Sequence, residues 1–132
     1  MAIRPGGTLP SIAFHVWHTA RWADYDCEVY GGSRQVWSSH GFAEHWNLRG
    51  IEESDGGTGT GLGDEQTAAL ELPGRDELLT YASAAFRLFE DTMERLDDAQ
   101  AVLFMHVTHV NRHLGMVEAI KGLQGMHGTA TR

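Results

Sequence analysis

AQAVLFMHVTHVNRHLGMVEAIKG, residues 99–122, is the stretch on which the fold turns. It reads as one long helix. Val102, Leu103, Val110, Leu114, Val117 and Ile120 fall on one side of it, and His106, His109 and His113 fall on or beside that apolar face. At 3.6 residues per turn, positions i and i+4 lie roughly 40° apart, so the His109 and His113 imidazoles can reach one ion. Two adjacent imidazoles in a core need partners, and a cation supplies one. The HxxxH pattern lacks the glutamate of the HExxH motif, so peptide hydrolysis is not suggested. A third histidine from another helix would complete a three-nitrogen site, and His15 and His18 in SIAFHVWHTARWADYD are the candidates.

Upstream, Asp97–Asp98 makes a tight turn. Before it a second long helix runs from near Pro73–Asp76 to near Leu96, with Leu78, Ala82, Ala85, Phe86, Phe89, Met93 and Leu96 at spacings of three and four. So short a turn implies antiparallel neighbours. Near the start, Ser11 reads as an N-cap, or Pro10 as the first helical residue, of a helix that stops at Gly31–Gly32. This helix is apolar on two faces, so it should be buried on two sides. Between the first two long helices, Arg34–Ser39 and Asp64–Leu72 suggest short helical pieces, the latter with Asp64 as a cap. Ser54–Gly63 (SDGGTGTGLG) is glycine-rich and should be an exposed, mobile loop. There is no internal repeat and no strand period. The expectation is an all-α helical bundle with three recognisable long helices over 11–125, an N-terminal tail over 1–10 and a C-terminal tail over 126–132.

Composition narrows the function. The chain has 132 residues, 42% hydrophobic and 21% charged, as in an ordinary globular domain. A net charge of −8 argues against nucleic acid and against an anionic membrane surface. No stretch has the length of a membrane span. Cys27 is the single cysteine, so no internal disulfide can form. Met1–Pro10 contains no apolar leader core, and a cytoplasmic location is expected.

WHTARWAD (17–24) followed by HVNRHLG (109–115) resembles the DinB / YfiT-like superfamily. The resemblance covers about Ser11 to Gly125. It implies a four-helix bundle whose metal site is made by three histidines, one in an early WHxAR-like stretch and two in a late HxxxHxG stretch. By position these are His18, His109 and His113. The resemblance implies a divalent metal (zinc, nickel or iron) with coordination positions left open. Relatives include transferases and isomerases that use a low-molecular-weight thiol such as mycothiol, bacillithiol or glutathione. Others are parts of sulfoxide synthases in thiohistidine biosynthesis. The expected function is therefore a metal-dependent S-transferase or isomerase acting on a small molecule. The alternative is a non-catalytic metal- or small-ligand-binding bundle. Family members carry a further helix before the first histidine, and only Met1–Pro10 precede it here. The usual first helix is then missing, displaced or supplied by a partner, and one face of the helix that follows should lie uncovered, which predicts a homodimer packed through it; the alternative is that Ser33–Gly74 folds back to cover that face.

Lesser expectations attach to neighbouring residues. His15 is a backup ligand. His106 is placed to hydrogen-bond a ligand's other ring nitrogen. Arg21 and Arg112 flank the ligands and are candidates for holding a carboxylate or thiol-bearing substrate, though each also reads as a surface ion-pairing residue. Asp24 and Asp26 should face solvent, and Glu118 acts as a base only if it faces the cavity. Cys27 should be inert core, the four tryptophans core or interface anchors, and His40, His45 and His127 solvated.

Overall fold

The computed structural model describes residues 3–7 and 9–127. Met1, Ala2 and Thr8 of the expected N-terminal tail, and residues 128–132 of the expected C-terminal tail, lie outside the described residues. The elements in chain order are α1 (Ile12–Gly31), α2 (Val36–Ser39), α3 (Phe42–Trp46), α4 (Asp64–Ala69), α5 (Arg75–Arg95) and α6 (Gln100–Leu123), with short 3-10 turns at Pro5–Gly7 and Ile51–Glu53. Among the described residues there is no strand, only an isolated bridge between Asp55 and Thr60. The class is all-α with three long helices, as expected, and among the described residues no helix is long and apolar enough to cross a membrane.

The ends of α1 follow from its terminal residues. The Ser11 hydroxyl accepts from the Phe14 N–H at 3.2 Å, so Ser11 is the cap and Pro10 stays outside. At the other end Gly32 adopts φ 63°, which lets its N–H reach the Glu28 carbonyl while the Ser33 N–H reaches that of Cys27. These two bonds satisfy the last-turn carbonyls.

α1 is the central element and packs on both α5 and α6. Ala13, Phe14, Trp17 and Ala20 meet Leu78, Tyr81, Ala82 and Ala85 of α5, with Val36, Trp37 and Leu48 closing the cluster. Further along, Ala23 and Cys27 meet Phe89, Met93 and Val102 near the α5–α6 turn. Asp24 bonds Tyr81 and Gly31 lies against Thr92, so α5 runs parallel to α1. His15 meets His113 and His18 meets His109, so α6 runs antiparallel to it.

Three expectations are corrected here. The glycine-rich segment is not an exposed loop. Ser54, Thr58 and Gly59 are buried against α1, and Thr58 has no exposed surface. Gly59 has φ 91°, and a Cβ there would fall 2.7 Å from Trp17, so only glycine lets the backbone come this close. The same segment packs on Phe14, Trp17 and Tyr25, which covers part of the second face of α1, while Val29 of that face is 53% exposed. At α4 the cap is Gly63, whose N–H donates to the Gln66 side chain at 2.8 Å; Asp64 is the first helical residue. Lastly, α6 does not bury the apolar side read from its sequence. It packs through the flank carrying Val102, His106 and Ile120, while Leu103 and Leu114 are exposed.

Candidate metal centre

α1 and α6 cross with their histidines facing one another. Each of His18, His109 and His113 offers one ring nitrogen, and the three atoms lie within 4.8 Å of one another. The closest pair, His18 Nε2 and His109 Nε2, is 3.1 Å apart. Two imidazoles on a tetrahedral ion at about 2.0–2.1 Å would stand roughly 3.3 Å apart, so this edge already has the span that a metal requires. His18 is buried, and His109 and His113 are half-buried.

The outer nitrogens decide which inner nitrogen is free. His18 Nδ1 lies 2.6 Å from the Thr58 carbonyl oxygen. A carbonyl only accepts, so Nδ1 carries the hydrogen and Nε2 keeps its lone pair toward the site. His113 Nδ1 lies 2.8 Å from His15 Nδ1. If His113 coordinates through Nε2, its Nδ1–H donates and His15 Nδ1 accepts. Ligating histidines are typically held this way through the second ring nitrogen. His15 stands outside the group of three nitrogens and next to His113, where a partner that orients a ligating ring would stand. His106 does not take the role expected of it. It stacks on Phe89 with ring centroids 4.2 Å apart, and its Nδ1 sits 3.5 Å from an Asp26 carboxylate oxygen rather than on His109. The Nε2 of His106 is buried without a hydrogen-bond partner.

The electrostatics favour neutral, ligating imidazoles. Burial, partly offset by the Thr58 carbonyl and reinforced by His109, lowers the His18 pKa to about 4. Burial together with His18, His109, His15 and Arg112 lowers that of His113 to about 3. Burial first, then His106 and Arg112, moves His109 downward, and burial with His18 does the same for His15. The cluster thus resists protonation near neutral pH, and coordination needs the unprotonated imidazole. Donor type and spacing both fit a divalent metal.

The three histidines open onto a cavity of about 610 Å³ between α1 and α6. One stripe of α1 lines it at four-residue spacing: His18, Trp22, Asp26 and Tyr30. Met105, His109 and Arg112 line it from α6, and Thr60 from the glycine-rich segment. The Trp22 indole donates to Thr60 Oγ1 at 3.0 Å. Trp22 is thus a cavity wall, unlike Trp17 and Trp37, which are core. Asp26 faces this cavity instead of open solvent, its side chain 15% exposed. These wall residues were legible in principle, because they repeat every four positions from His18.

Arg21 does not line the cavity, and a substrate role for it is corrected. Its guanidinium is buried and fully engaged: Nε donates to the Gly57 carbonyl, Nη2 to that of Gly56, and Nη1 to Gln35, Asp24 and Tyr81. Arg21 thereby ties the glycine-rich segment to α1. Asp24, expected in solvent, is wholly buried. Its carboxylate accepts the Val36 and Trp37 N–H groups at 2.7 and 2.8 Å, which caps α2, and it accepts the Tyr81 hydroxyl at 3.1 Å. Burial raises its pKa against the opposing effects of those donors and Arg21. Glu118 bonds Lys121 at 3.0 Å and is not among the cavity walls. Cys27 is buried, its Sγ–H donates to the Ala23 carbonyl, and burial pushes its pKa up to about 11. A thiol so placed is not a nucleophile near neutral pH. His40, His45 and His127 are exposed.

Compared with known families and with curated proteins, the chain matches no family model and no curated protein.

Proposed function

We propose that this chain is a DinB-like, metal-dependent bundle that holds one divalent ion on His18, His109 and His113 and acts on a small molecule. One observation carries the reading. Three histidines from two helices converge, one ring nitrogen of each within 4.8 Å of the others, at the wall of a cavity that also presents Asp26, Arg112, Trp22 and Tyr30. Three protein ligands leave coordination positions for water or substrate, as catalytic sites do. The chemistry such an ion supplies is Lewis acidity, which favours deprotonation of a coordinated thiol or water. Zinc, nickel and iron all suit imidazole donors.

The chain's own residues divide the remaining work. Thr58 and His15 hold two ligands in register. Trp22, Tyr30 and Met105 offer apolar walls, and Arg112 offers a cation for a carboxylate such as a low-molecular-weight thiol carries. Asp26 is the carboxylate placed to take a proton or to hold a cationic group. The reaction class that fits is thiol-dependent S-transfer or isomerisation.

Elemental analysis by mass spectrometry of the tag-free protein, beside His109→Ala and His113→Ala, tests this. The expected result is one metal per chain, lost in both variants while helicity by circular dichroism is retained. Absence of metal after incubation with zinc and with nickel would overturn the reading. Metal bound with no turnover of thiol and electrophile pairs would leave a binding module.

A further inference from the structure

One end of the cavity holds two polar groups that the fold leaves unsatisfied. Asp26 stands about two turns beyond His18 on α1, roughly 12 Å along the axis, and His106 stands about two turns before His113 on antiparallel α6. The Asp26 side chain is only 15% exposed, yet among the described residues it accepts no hydrogen bond. Its ion-pair partner there is His106 Nδ1 at 3.5 Å, beyond the span of about 2.7–3.2 Å that an N–H···O bond takes. The His106 side chain is 6% exposed and its Nε2 is buried with no partner among the described residues. Both residues are walls of the cavity. Buried polar groups are nearly always hydrogen-bonded, and a carboxylate kept from water costs most of all when it is not. A carboxylate only accepts, so a neutral His106 turns Nδ1–H toward Asp26 and keeps Nε2 as a second acceptor. What this end of the cavity lacks is a donor that carries positive charge.

We propose that this end of the cavity binds an organic cation that carries N–H groups, a primary ammonium or a guanidinium, with Asp26 as its anion. Two further observations favour that class. Trp22 and Tyr30 stand one turn to either side of Asp26 on the same lining stripe of α1. Aromatic faces attract cations, and more strongly where water is displaced, so the two rings suit both the charge and the carbon stem behind it. The charges also fall in the right places. Arg112, the cation among the cavity walls, follows His106 by six residues, roughly 9 Å further along α6 and beside the histidine cluster. The Asp26 end is therefore the negative end, and a chain of net charge −8 draws cations toward it. The site shares the cavity with the proposed metal centre but does not require the ion.

Chemical-shift titration of the isotope-labelled full chain, freed of metal with a chelator, reads the site through the Trp22 indole N–H. Because no metal is present, failure of this site and failure of the metal centre are read separately. n-Butylammonium is the probe, and 1-butanol, butyrate and tetramethylammonium are the uncharged, anionic and N–H-free comparisons. Butylammonium is expected to shift the Trp22 signal and to bind roughly tenfold or more tightly than 1-butanol, as a charge-assisted hydrogen bond requires. Tetramethylammonium should fall between them, and butyrate should not bind. Asp26→Asn keeps the shape and removes the charge, and should bring butylammonium down to the level of 1-butanol. His106→Phe keeps a ring on Phe89 and should bind butylammonium no more tightly than wild type. Four results would each overturn the proposal. They are butylammonium binding no better than 1-butanol, tetramethylammonium binding as tightly as butylammonium, wild-type affinity in Asp26→Asn, and tighter binding by His106→Phe. The last would make a His106 imidazolium the counter-ion of Asp26.

Discussion

Replacing His15 by leucine should separate metal affinity from fold stability. His15 is buried on α1 and its Nδ1 lies 2.8 Å from His113 Nδ1. Leucine has a similar volume and no polar atom, so the core around Ala13 and Phe14 should accept it at a cost below about 1.5 kcal/mol. The cost falls instead on His113. Its Nδ1–H loses the acceptor that fixes both ring orientation and tautomer, and losing such a partner typically weakens a metal site 10–100-fold. That range is about 1.4–2.7 kcal/mol. Competition with a chromophoric zinc chelator at neutral pH measures it directly, and urea unfolding of the metal-free protein supplies the control. His15→Gln should recover part of the affinity, since its carbonyl oxygen accepts from the same N–H. A zinc dissociation constant within twofold of wild type in His15→Leu would show that His15 does not orient His113. A fall of several kcal/mol in metal-free stability would show that His15 serves the core.

Acidification should destabilise the metal-free protein from pH 6.5 downward. The folded-state values of His18 and His113 are about 4 and about 3, below the 6.5 of the unfolded chain, so the unfolded state takes up protons first. Stability is full above 6.5 and is lost as pH falls toward 4 and 3, at up to about 1.4 kcal/mol per pH unit for buried His18 and less for half-buried His113. Urea midpoints that stay flat between pH 7 and pH 5 would contradict this. Gly59→Ala should cost about 2–5 kcal/mol, combining a positive φ with a Cβ 2.7 Å from Trp17, and should also weaken zinc binding by shifting Thr58. Gly61→Ala, with φ 88° and open space around it, should cost only about 1–2 kcal/mol and leave zinc binding alone. Asp24→Ala should cost about 3–5 kcal/mol by leaving the Arg21 guanidinium buried beside two unpaired N–H groups. A loss below 1 kcal/mol in chemical denaturation would refute that accounting.

The sequence disclosed what local periodicity encodes. The three long helices, the Ser11 cap, the Gly31–Gly32 stop and the pairing of His109 with His113 are all decided within a few residues. His18 was separable from His15 only through the paired motifs, because both lie on the same helix one turn apart. What stayed hidden is non-local. Ser54–Gly63 reads as solvent-loving by composition, yet Gly56 and Gly59 let the backbone approach Tyr25 and Trp17. Arg21 and Asp24 read as surface charges because each is judged alone; their burial is tolerable only together with Tyr81, Gln35 and the carbonyls they bind. The apolar side of α6 was read as core because a helical stripe signals burial of some kind. It does not say that the chain covers the neighbouring flank, with Val102, His106 and Ile120, instead.

These non-local contacts form one mechanical path to the three-histidine cluster. Arg21 grips the Gly56 and Gly57 carbonyls, and one residue later the Thr58 carbonyl receives the Nδ1–H of His18. Asp24 holds Arg21 from the other side while capping α2. The tautomer of His18 on α1 is therefore set by a loop 40 residues away in sequence, and the loop is set by a charge pair on the same helix one turn beyond that histidine. Arg21→Lys makes the coupling testable. Lysine keeps the charge beside Asp24 but cannot also span both loop carbonyls from a planar fork. The variant should remain folded, since Asp24 is still neutralised, yet bind zinc roughly tenfold more weakly because the Thr58 carbonyl is no longer held on His18. Wild-type zinc affinity in a folded Arg21→Lys protein would mean that the loop finds its place without the guanidinium. The metal centre would then rest on the helices alone.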